Sequence, residues 1–410
     1  MATNTLLTIG QVTRELLDAF ENSLVFTRNI MRQYSSAFAR PGDRIGPTLN
    51  IRLPARLRTT SGPNLSVQDY IEQSVPLTID QQEHVDVAFS SFEMTLSLDD
   101  WRARIGKPSG IVLANVVDAF GLALYHQVPN AIMSPSGTSK YLAYLNAGAV
   151  LADNGTPNDG EWYAVLNQWE QAQVVNELKV LTESSAQLKR QYERGQMMTA
   201  AGLTWSFDQN VASHTTGARG GAPLFQTVVA GGGSITTSGW TAAAAPRLKK
   251  GDIFTIANTY AVNPVSRANT GQLRQFTVTA DVSSDASGNA TIPIYPPIIG
   301  PATPANPRQT VVALPVAAAP MTLLGTASTV YHQNIVHQKQ AFAMAMCRLQ
   351  EPFSGQASYA VDESTSVAIR TWKASDISTD VHSSRADIAF GMAVTRPEWA
   401  VRVWSVPPTP

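Results

Sequence analysis

The sequence has few charged side chains. Asp, Glu, Lys and Arg make up 15% of the 410 residues, whereas about a quarter is usual in soluble domains. The 30 basic and 31 acidic residues give a formal net charge of -1, so no excess positive charge is present to hold a polyanion by counterion release. A surface poor in charge is typical of a protein that buries much of its exterior against neighbours, although a polar-surfaced β protein has the same composition.

Cysteine and apolar segments are also scarce. The single cysteine, Cys347, excludes an intramolecular disulfide, and its Ala- and Met-rich surroundings predict a buried, inert thiol. The first residues lack a basic segment followed by an apolar one, and no uninterrupted apolar run approaches the roughly 18 residues of a membrane span. We therefore expect a reducing, soluble compartment and no membrane contact.

Motifs for catalysis and nucleotide binding are missing. The glycine runs Gly217–Gly221 and Gly231–Gly233 are not followed by a Lys-Ser/Thr pair, and no serine stands in a Gly-x-Ser-x-Gly elbow. The six histidines include no HExxH pair. The closest two, His332 and His337, would lie about 140° apart on a helix. We predict no catalytic residue and no cofactor.

One segment partly resembles a calcium-binding loop. Asp281, Asp285 and Asn289 supply oxygen ligands at regular spacing. However, the sequence lacks the Asp-x-Asp-x-Asp-Gly order and the terminal Glu of that loop. We predict that no metal binds there.

Hydrophobic periodicity predicts the elements of the first half. Spacings of three and four residues predict an amphipathic helix over Thr8–Tyr34, whose apolar stripe includes Leu16 and Phe20. Alternation then predicts a two-stranded hairpin between Arg40 and Asp86 that is too thin to bury a core of its own. A further strand begins at His84.

Three helices and one strand are predicted next. The most apolar helix begins at Pro108 and ends at Val128, before a second proline. The others cover Lys140–Leu151 and the polar stretch Gln171–Gln191, with a buried strand at Trp162–Leu166 between them.

The composition changes near Thr215. Residues Thr216–Gly325 contain short alternating runs separated by Gly, Pro and Asn turns, which predict a small β-sandwich or barrel. Mixed helix and strand patterns resume after Gly325. The order favours a β domain inserted between two parts of another domain over two tandem domains. The predicted runs are Phe225–Val229, Ile253–Ala257, Phe276–Ala280 and Ala290–Tyr295.

The end of the chain carries a family resemblance. Ser384–Trp399 looks like one packed strand that runs into a proline stop, and together with Gln333–Ala345 it resembles the closing segment of coat proteins of tailed bacteriophages. Two further segments resemble the subgroup of these proteins that has an inserted β-barrel domain, namely Ala201–Gly217 and Lys250–Phe254.

The resemblance implies a fold and a division of the chain. The expected fold is α+β, of the Hong Kong type of phage capsid, with an N-terminal arm, an extended hairpin loop, a peripheral domain with a long spine helix, and an axial domain. The implied parts are the arm (1–40), the extended loop (41–85), the peripheral domain (86–130), the first axial part (131–215), the inserted β domain (216–325) and the closing part (326–410).

The resemblance also implies partners. A major capsid protein would form hexamers and pentamers with other copies of itself, use a separate scaffolding protein and a portal, and meet packaged DNA only by non-specific proximity. It would assemble in the host cytoplasm and reside in the virion. A β-rich tail or surface adhesion module and, less well supported, a hydrolase remain as alternatives.

The residues that would contact neighbouring subunits follow from the arm and the extended loop. Charged loop residues are usually a solvated face, and if these do more they would form salt bridges with an adjoining subunit. The candidates are Arg52, Arg56, Arg58, Asp69 and Glu72 in the loop, and Leu16 and Phe20 in the arm.

Overall fold

The computed structural model describes most of the chain and divides into two compact units. The described residues are 9–32, 46–57, 59–60, 62–65, 67, 72–90, 105–134, 139–178, 199–302, 306–350, 352, 356–362, 367–376 and 381–407. Unit 1 comprises Met1–Ile51, Ser74–Gly121 and Phe342–Thr395; unit 2 comprises Arg52–Gln73, Leu122–Ala341 and Arg396–Pro410. The boundaries that the resemblance implies for the arm, the loop and the four other parts of the chain remain predictions.

Unit 1 packs two helices and a hairpin with a five-stranded sheet. The helices are α1 (Ile9–Ser23) and α2 (Lys107–Ala123). The hairpin strands are β1 (Thr48–Leu53) and β2 (Gln73–Thr78). In the sheet, β3 (Gln81–Ser90) pairs with β21 (Val381–Val394), which lies between β18 (Phe342–Met346) and β20 (Val367–Asp376), and β20 pairs with β19 (Gln356–Asp362).

Helix α1 is shorter than its sequence pattern predicts. It ends at Ser23, and the chain continues into a 3-10 turn at Thr27–Asn29 rather than helix to Tyr34. The cause is Asp118 of α2, whose carboxylate accepts hydrogen bonds from the backbone N–H groups of Val25 (2.7 Å) and Thr27 (2.8 Å) and from the Thr27 hydroxyl. A tertiary contact has replaced the next helical turn.

Helix α2 begins at Lys107, one residue before the predicted Pro108, and lies close to its neighbours. A Cβ atom on Gly110 would come within 2.8 Å of the Leu16 carbonyl oxygen, and one on Gly121 within 2.7 Å of the Phe26 ring. Only glycine therefore allows these approaches. By length and composition, Lys107–Gln127 is the one described helix that could cross a membrane, and half of its apolar window is buried inside the protein.

The base of the hairpin packs on the sheet of its own unit. Ile51 and Leu77 are buried with Ala343 and Ala345 of β18. A Cβ atom on Gly391 of β21 would overlap the carbonyl group of Thr78, because the hairpin backbone passes directly over that strand. The hairpin therefore has an apolar anchor within unit 1.

Unit 2 contains a seven-stranded sheet with helices packed on it. The strand order is β4-β22-β17-β5-β7-β6, and β8 pairs with another part of β17. Side chains of α3 fill the core against the sheet, with Tyr144 and Leu151 fully buried beside Val336 and Val401. The strands are β4 (Asn130–Ser134), β5 (Trp162–Leu166), β6 (Thr199–Ala200), β7 (Leu203–Phe207), β8 (Ser213–Thr215), β17 (Val330–Gln338) and β22 (Ala400–Ser405), and the helices are α3 (Lys140–Asp153) and α4 (Gln168–Leu178).

Residues 216–325 form only β-strands among their described elements. Six strands make one sheet in the order β16-β12-β13-β15-β10-β9, and β11 pairs with β14. Their side chains form a separate apolar cluster that includes Phe254, Phe276 and Ile292. The strands are β9 (Leu224–Val228), β10 (Ser234–Ser238), β11 (Ala245–Leu248), β12 (Ile253–Val262), β13 (Asn269–Val278), β14 (Val282–Ser284), β15 (Ala290–Tyr295) and β16 (Met321–Leu323).

The two ends of this β segment are joined by hydrogen bonds. The Thr216 N–H donates to the carbonyl of Thr329 (3.0 Å), and the Ser328 N–H donates to that of Gly217 (3.1 Å). The Thr216 hydroxyl donates to the carbonyl of Thr326 (2.5 Å). The closeness of the two ends, expected for an inserted segment, is therefore observed.

Candidate functional site

The predicted interface charges of the loop fall into three groups. Arg52 and Glu72 form an exposed pair with 3.8 Å between Nη1 and Oε2, and their side chains are 81% and 48% exposed. Such a pair contributes about 0 to 1 kcal/mol. Arg58 and Asp69 lie outside the described residues.

Arg56 has a partner within its own chain. Its Nη2 atom lies 2.6 Å from Oε1 of Glu398, in the short turn that precedes β22. The sequence suggested a carboxylate of an adjoining subunit instead. The two residues are 342 positions apart, so spacing along the chain gives no signal for this pair.

Leu16 and Phe20 are covered by their own unit. They are 2% and 0% exposed, and α1 packs against β19 and β20. The sheet of unit 1 therefore already removes this stripe from water. A direct role for either side chain in a subunit interface stays a prediction.

Apolar side chains are exposed in the described part of the extended loop. Leu57, Leu65 and Val67 are 58%, 90% and 82% exposed. The interface residues predicted from the sequence of this loop are all charged and do not include these three side chains. The sequence does contain a signal for them, because large apolar residues stand here among residues that favour turns. Loop tips usually carry small polar residues instead.

A buried polar cluster lies where the β segment joins the seven-stranded sheet. Asp252, which is fully buried, accepts hydrogen bonds from the backbone N–H groups of Gly217 (3.0 Å) and Lys249 (2.9 Å). Its other carboxylate oxygen lies 3.0 Å from Nε2 of His214. Tyr125 contacts the same imidazole at Nδ1 (3.3 Å). These contacts fix the entry of the β segment.

Arg402 of β22 completes the cluster. It is fully buried, and burial lowers the pKa of its guanidinium group to about 9, while Tyr125 and Asp252 act in the opposite direction. The guanidinium donates to the Gly251 carbonyl (2.9 Å) and to the Thr277 hydroxyl (3.3 Å). Both acceptors belong to the β segment, so Arg402 ties it to the sheet of unit 2.

The His214–Asp252 pair resembles half of a catalytic triad, but its surroundings give it another role. His214 is 3% exposed and Asp252 is not exposed, and a Cβ atom on Gly251 would lie 3.4 Å from Cε1 of the imidazole. A substrate could not reach this imidazole, so the pair is structural. His332 and His337 lie on strand β17 rather than on a helix, and five positions place them on opposite faces.

The remaining candidates also show no assembled site. Within the part of the chain that the structure describes, no group of three or more His, Cys, Asp or Glu residues could hold a metal ion. The Asp285 carboxylate accepts hydrogen bonds from the N–H groups of Ser287 (2.9 Å) and Asn289 (2.8 Å), as in an Asx turn. Cys347 is half-buried rather than buried, and burial raises the pKa of its thiol, which disfavours the reactive thiolate.

Comparison with known proteins identifies the family. The model of the family described as "P22 coat protein - gene protein 5" matches residues 1–403. No curated protein sequence matches the chain.

Solved phage capsid structures resemble the chain at low sequence identity. One, titled for Mycobacterium phage Che8, is 12% identical over 93% of this chain and 90% of its own, with a TM-score of 0.46. The capsid of cyanophage P-SCSP1u is 11% identical over 94% and 89%, with a TM-score of 0.47. The capsid of Ralstonia phage GP4 is 8% identical over 93% and 88%, with a TM-score of 0.48.

The family match covers nearly the whole chain and agrees with the resemblance seen in the sequence. The described elements confirm the predicted α+β class, and membership carries with it the expected Hong Kong-type capsid fold. The family is one of structural proteins of the virion. The chain belongs to the P22 coat protein family and is a major capsid protein of a tailed bacteriophage.

Proposed function

We propose that copies of this chain assemble, as hexamers and pentamers, into an icosahedral shell that encloses double-stranded DNA. The observation that carries the proposal is the extended loop, in which Leu57, Leu65 and Val67 are exposed. Full burial of such a side chain contributes about 1.5 to 3 kcal/mol. A neighbouring copy that covered all three would therefore gain a stable contact.

The anchored base makes this loop suitable for such a contact. Ile51 and Leu77 hold the two hairpin strands on unit 1. A loop with a fixed base loses less conformational freedom on binding than a free segment. The proposed contact is non-covalent.

The inserted β segment supports a place in the subgroup with an inserted domain. It has its own apolar cluster, and its ends are joined between Thr216 and Thr329. We propose that it stabilises the subunit and the shell geometry without performing chemistry. The buried position of the His214–Asp252 pair supports this.

The remaining partners follow from the family. A separate scaffolding protein and a portal would take part in assembly in the host cytoplasm. DNA would meet the inner surface only by non-specific proximity, because a net charge of -1 provides no general attraction.

The test is assembly of the purified chain, observed by negative-stain electron microscopy. The double variant Leu65→Ser with Val67→Ser should give folded subunits that form few closed shells. Val316→Ser provides a control, since Val316 is 75% exposed but lies outside the loop. Tubes or isolated particles from the unchanged chain would favour a tail module. Normal shells from the loop variant would remove the proposed role of these side chains.

A further inference from the structure

Strand β3 forms an outer edge of the five-stranded sheet of unit 1. It pairs with β21 without interruption from Gln81, opposite Phe390, to Ser90, opposite Val381. In an antiparallel pair, every second residue directs its backbone N–H and carbonyl away from the partner strand. Among the described residues, none pairs with these outward groups of β3. Half of the strand therefore presents free backbone donors and acceptors.

The other edges of this sheet have neighbours within the chain. Strand β18 lies on the same side of β21 as β3. Beside it, the Met31 N–H donates to the carbonyl of Phe342 (3.1 Å), and the Met344 N–H donates to the carbonyl of Met31 (2.9 Å). At the opposite edge of the sheet, helix α1 packs against β19. In the described part of unit 1, β3 is therefore the edge that keeps an open row of backbone groups.

Strand β3 lacks most of the features that protect an edge strand. Proline, lysine and β-bulges are common devices against edge-to-edge association. The strand contains no proline or lysine, and its pairing with β21 has no register shift, whereas the pairing of β12 with β13 shifts twice. A long and regular edge of this kind is suited to receive a further strand by β-augmentation.

The side chains of β3 favour a second copy of the same strand as the partner. His84 and Asp86 are 42% and 54% exposed, and they share one face of the sheet with the exposed Gln82 and Ala88. When two copies of β3 pair antiparallel about Val85, each His84 stands opposite Asp86 of the other copy. Each Gln82 then stands opposite Ala88. An imidazole opposite a carboxylate is a favourable cross-strand pair.

Charge also selects the register of such a pair. Two antiparallel copies in one sheet are related by a two-fold axis that passes through a single residue position of both strands. An axis at Asp86 would place two carboxylates opposite each other, which is destabilising, and an axis at His84 would place two imidazoles opposite each other. An axis at Val85 avoids both. It also brings the two half-buried Val85 side chains together on the other face.

We propose that β3 pairs with β3 of a second copy of this chain, so that two five-stranded sheets become one continuous sheet. The contact is isologous, since each copy contributes the same strand. It satisfies outward backbone groups of both strands and buries the pair of Val85 side chains. The proposal rests on the proposed function only in that copies of the chain associate, and it names one contact by which they do so.

The experiment is disulfide cross-linking of the full-length chain, as free subunits and in any particles that they form. In a Cys347→Ser background, Val85→Cys places the only thiol of each copy at the centre of the proposed pair. Directly opposite residues have Cα atoms about 4.5 to 5.5 Å apart, which a disulfide can span. We expect most of the chain to run as a covalent dimer on a non-reducing gel after mild oxidation.

Val87→Cys in the same background is the matched control. Val87 lies on the same face as Val85 and is also half-buried. In the proposed register, however, the two Val87 residues are four positions out of alignment, roughly 13 Å along the strand. A disulfide cannot span this distance, so the yield of dimer should be several-fold lower. Equal cross-linking of the two variants, or none by Val85→Cys, would overturn the proposal.

Charge variants test the register further. With Val85→Cys in place, His84→Asp sets a carboxylate opposite Asp86 and should lower the yield of dimer several-fold. Gln82→Asp adds the same charge to the same face but stands opposite Ala88, so it should leave the yield unchanged. Circular dichroism checks that each variant is folded. Equal yields from the two charge variants would contradict the proposed register.

Shell formation and the pairing of β3 are scored separately. Shells that form without the Val85→Cys cross-link would leave the proposed function intact and overturn the pairing. Protection of the β3 amides from hydrogen exchange in such shells would assign the edge to another segment. A cross-linked dimer that forms no shells would support the pairing and count against shell closure.

Discussion

Two buried carboxylates, Asp118 in unit 1 and Asp252 in unit 2, hold corresponding junctions. Asp118 accepts hydrogen bonds from the backbone of the turn after the arm helix, and Asp252 accepts them from the first residues of the β segment. Both side chains are almost completely buried. Their remaining partners differ: the Thr27 hydroxyl for Asp118 and the His214 imidazole for Asp252.

The difference shows how similar junctions acquire different chemistry. The Thr27 hydroxyl donates to Asp118 alone, whereas the imidazole of His214 is also contacted by Tyr125, so the junction of unit 2 belongs to a larger buried polar network. The described part of unit 2 also contains the fully buried His337. We therefore expect unit 2 to be the more sensitive to acid.

Removal of the Asp252 carboxylate should have the largest effect. Asp252→Ala would leave His214 and the N–H groups of Gly217 and Lys249 without their acceptor. We expect the free energy of unfolding to fall by about 4 kcal/mol, because a buried donor left without its acceptor costs about 1 to 3 kcal/mol and three donors are affected. Urea denaturation monitored by circular dichroism measures this loss.

Asp281→Ala is the matched control for this variant. Asp281 is exposed and accepts a single backbone hydrogen bond, from Lys250 (2.7 Å). Its removal should cost less than about 1.5 kcal/mol. Equal losses for the two variants would show that burial of Asp252 does not determine its contribution.

The second prediction concerns pH. Burial lowers the pKa of His337 to about 4, against about 6.5 in the unfolded chain. Between these values the unfolded state binds the proton and the folded state does not, so stability is complete above pH 6.5 and falls towards pH 4. The loss attributable to this residue is roughly 3 kcal/mol at pH 4. Urea denaturation of the wild type and His337→Gln across this range measures the difference.

His84→Gln supplies the control for the pH series. The His84 side chain is 42% exposed and lies in unit 1. This variant shows how much of the measured pH dependence is lost when an exposed histidine is replaced. If His337→Gln follows the wild type, the proposed acid sensitivity of unit 2 has another origin.

A smaller effect is expected at the junction of unit 1. Thr27→Val removes the hydroxyl that donates to Asp118 but leaves both backbone hydrogen bonds in place. The free energy of unfolding should fall by about 1 kcal/mol. Thr48→Val, which removes an exposed hydroxyl contact with Thr78, should have less effect. A loss as large as that of Asp252→Ala would contradict the ranking of the two junctions.

The smallest effect is expected for the exposed pair of Arg52 and Glu72. A double-mutant cycle with alanine at both positions should give a coupling energy below about 1 kcal/mol. High salt should reduce the coupling further. A larger, salt-independent coupling would mean that the pair is shielded from solvent, contrary to its exposure in the single chain.

Sequence patterns predicted the elements that local periodicity determines. The strand Trp162–Leu166 has the predicted bounds, and α2 begins within one residue of the predicted Pro108. Helix α1 extends less far than predicted because Asp118, from a distant helix, competes for its next backbone N–H groups. The angle of about 140° between His332 and His337 applies only to a helix. Both residues lie instead on strand β17.

The site residues were harder to predict because distant segments determine their environment. Arg56 bonds to Glu398, and only the fold shows that this arginine already has a partner. Leu16 was predicted on an apolar stripe, which is confirmed, but the sequence does not say whether a neighbour or its own sheet covers it. The buried position of Asp252 likewise depends on where the β segment joins the sheet.

The close passage of the hairpin over Gly391 has a genetic consequence. Any side chain at this position would act as a wedge under the backbone at Thr78. A substitution in β21 could therefore tilt the hairpin while leaving every residue of its loop unchanged. Mutations that alter shell formation need not map to the surfaces where subunits touch, and a screen for misassembled particles should recover changes at this glycine.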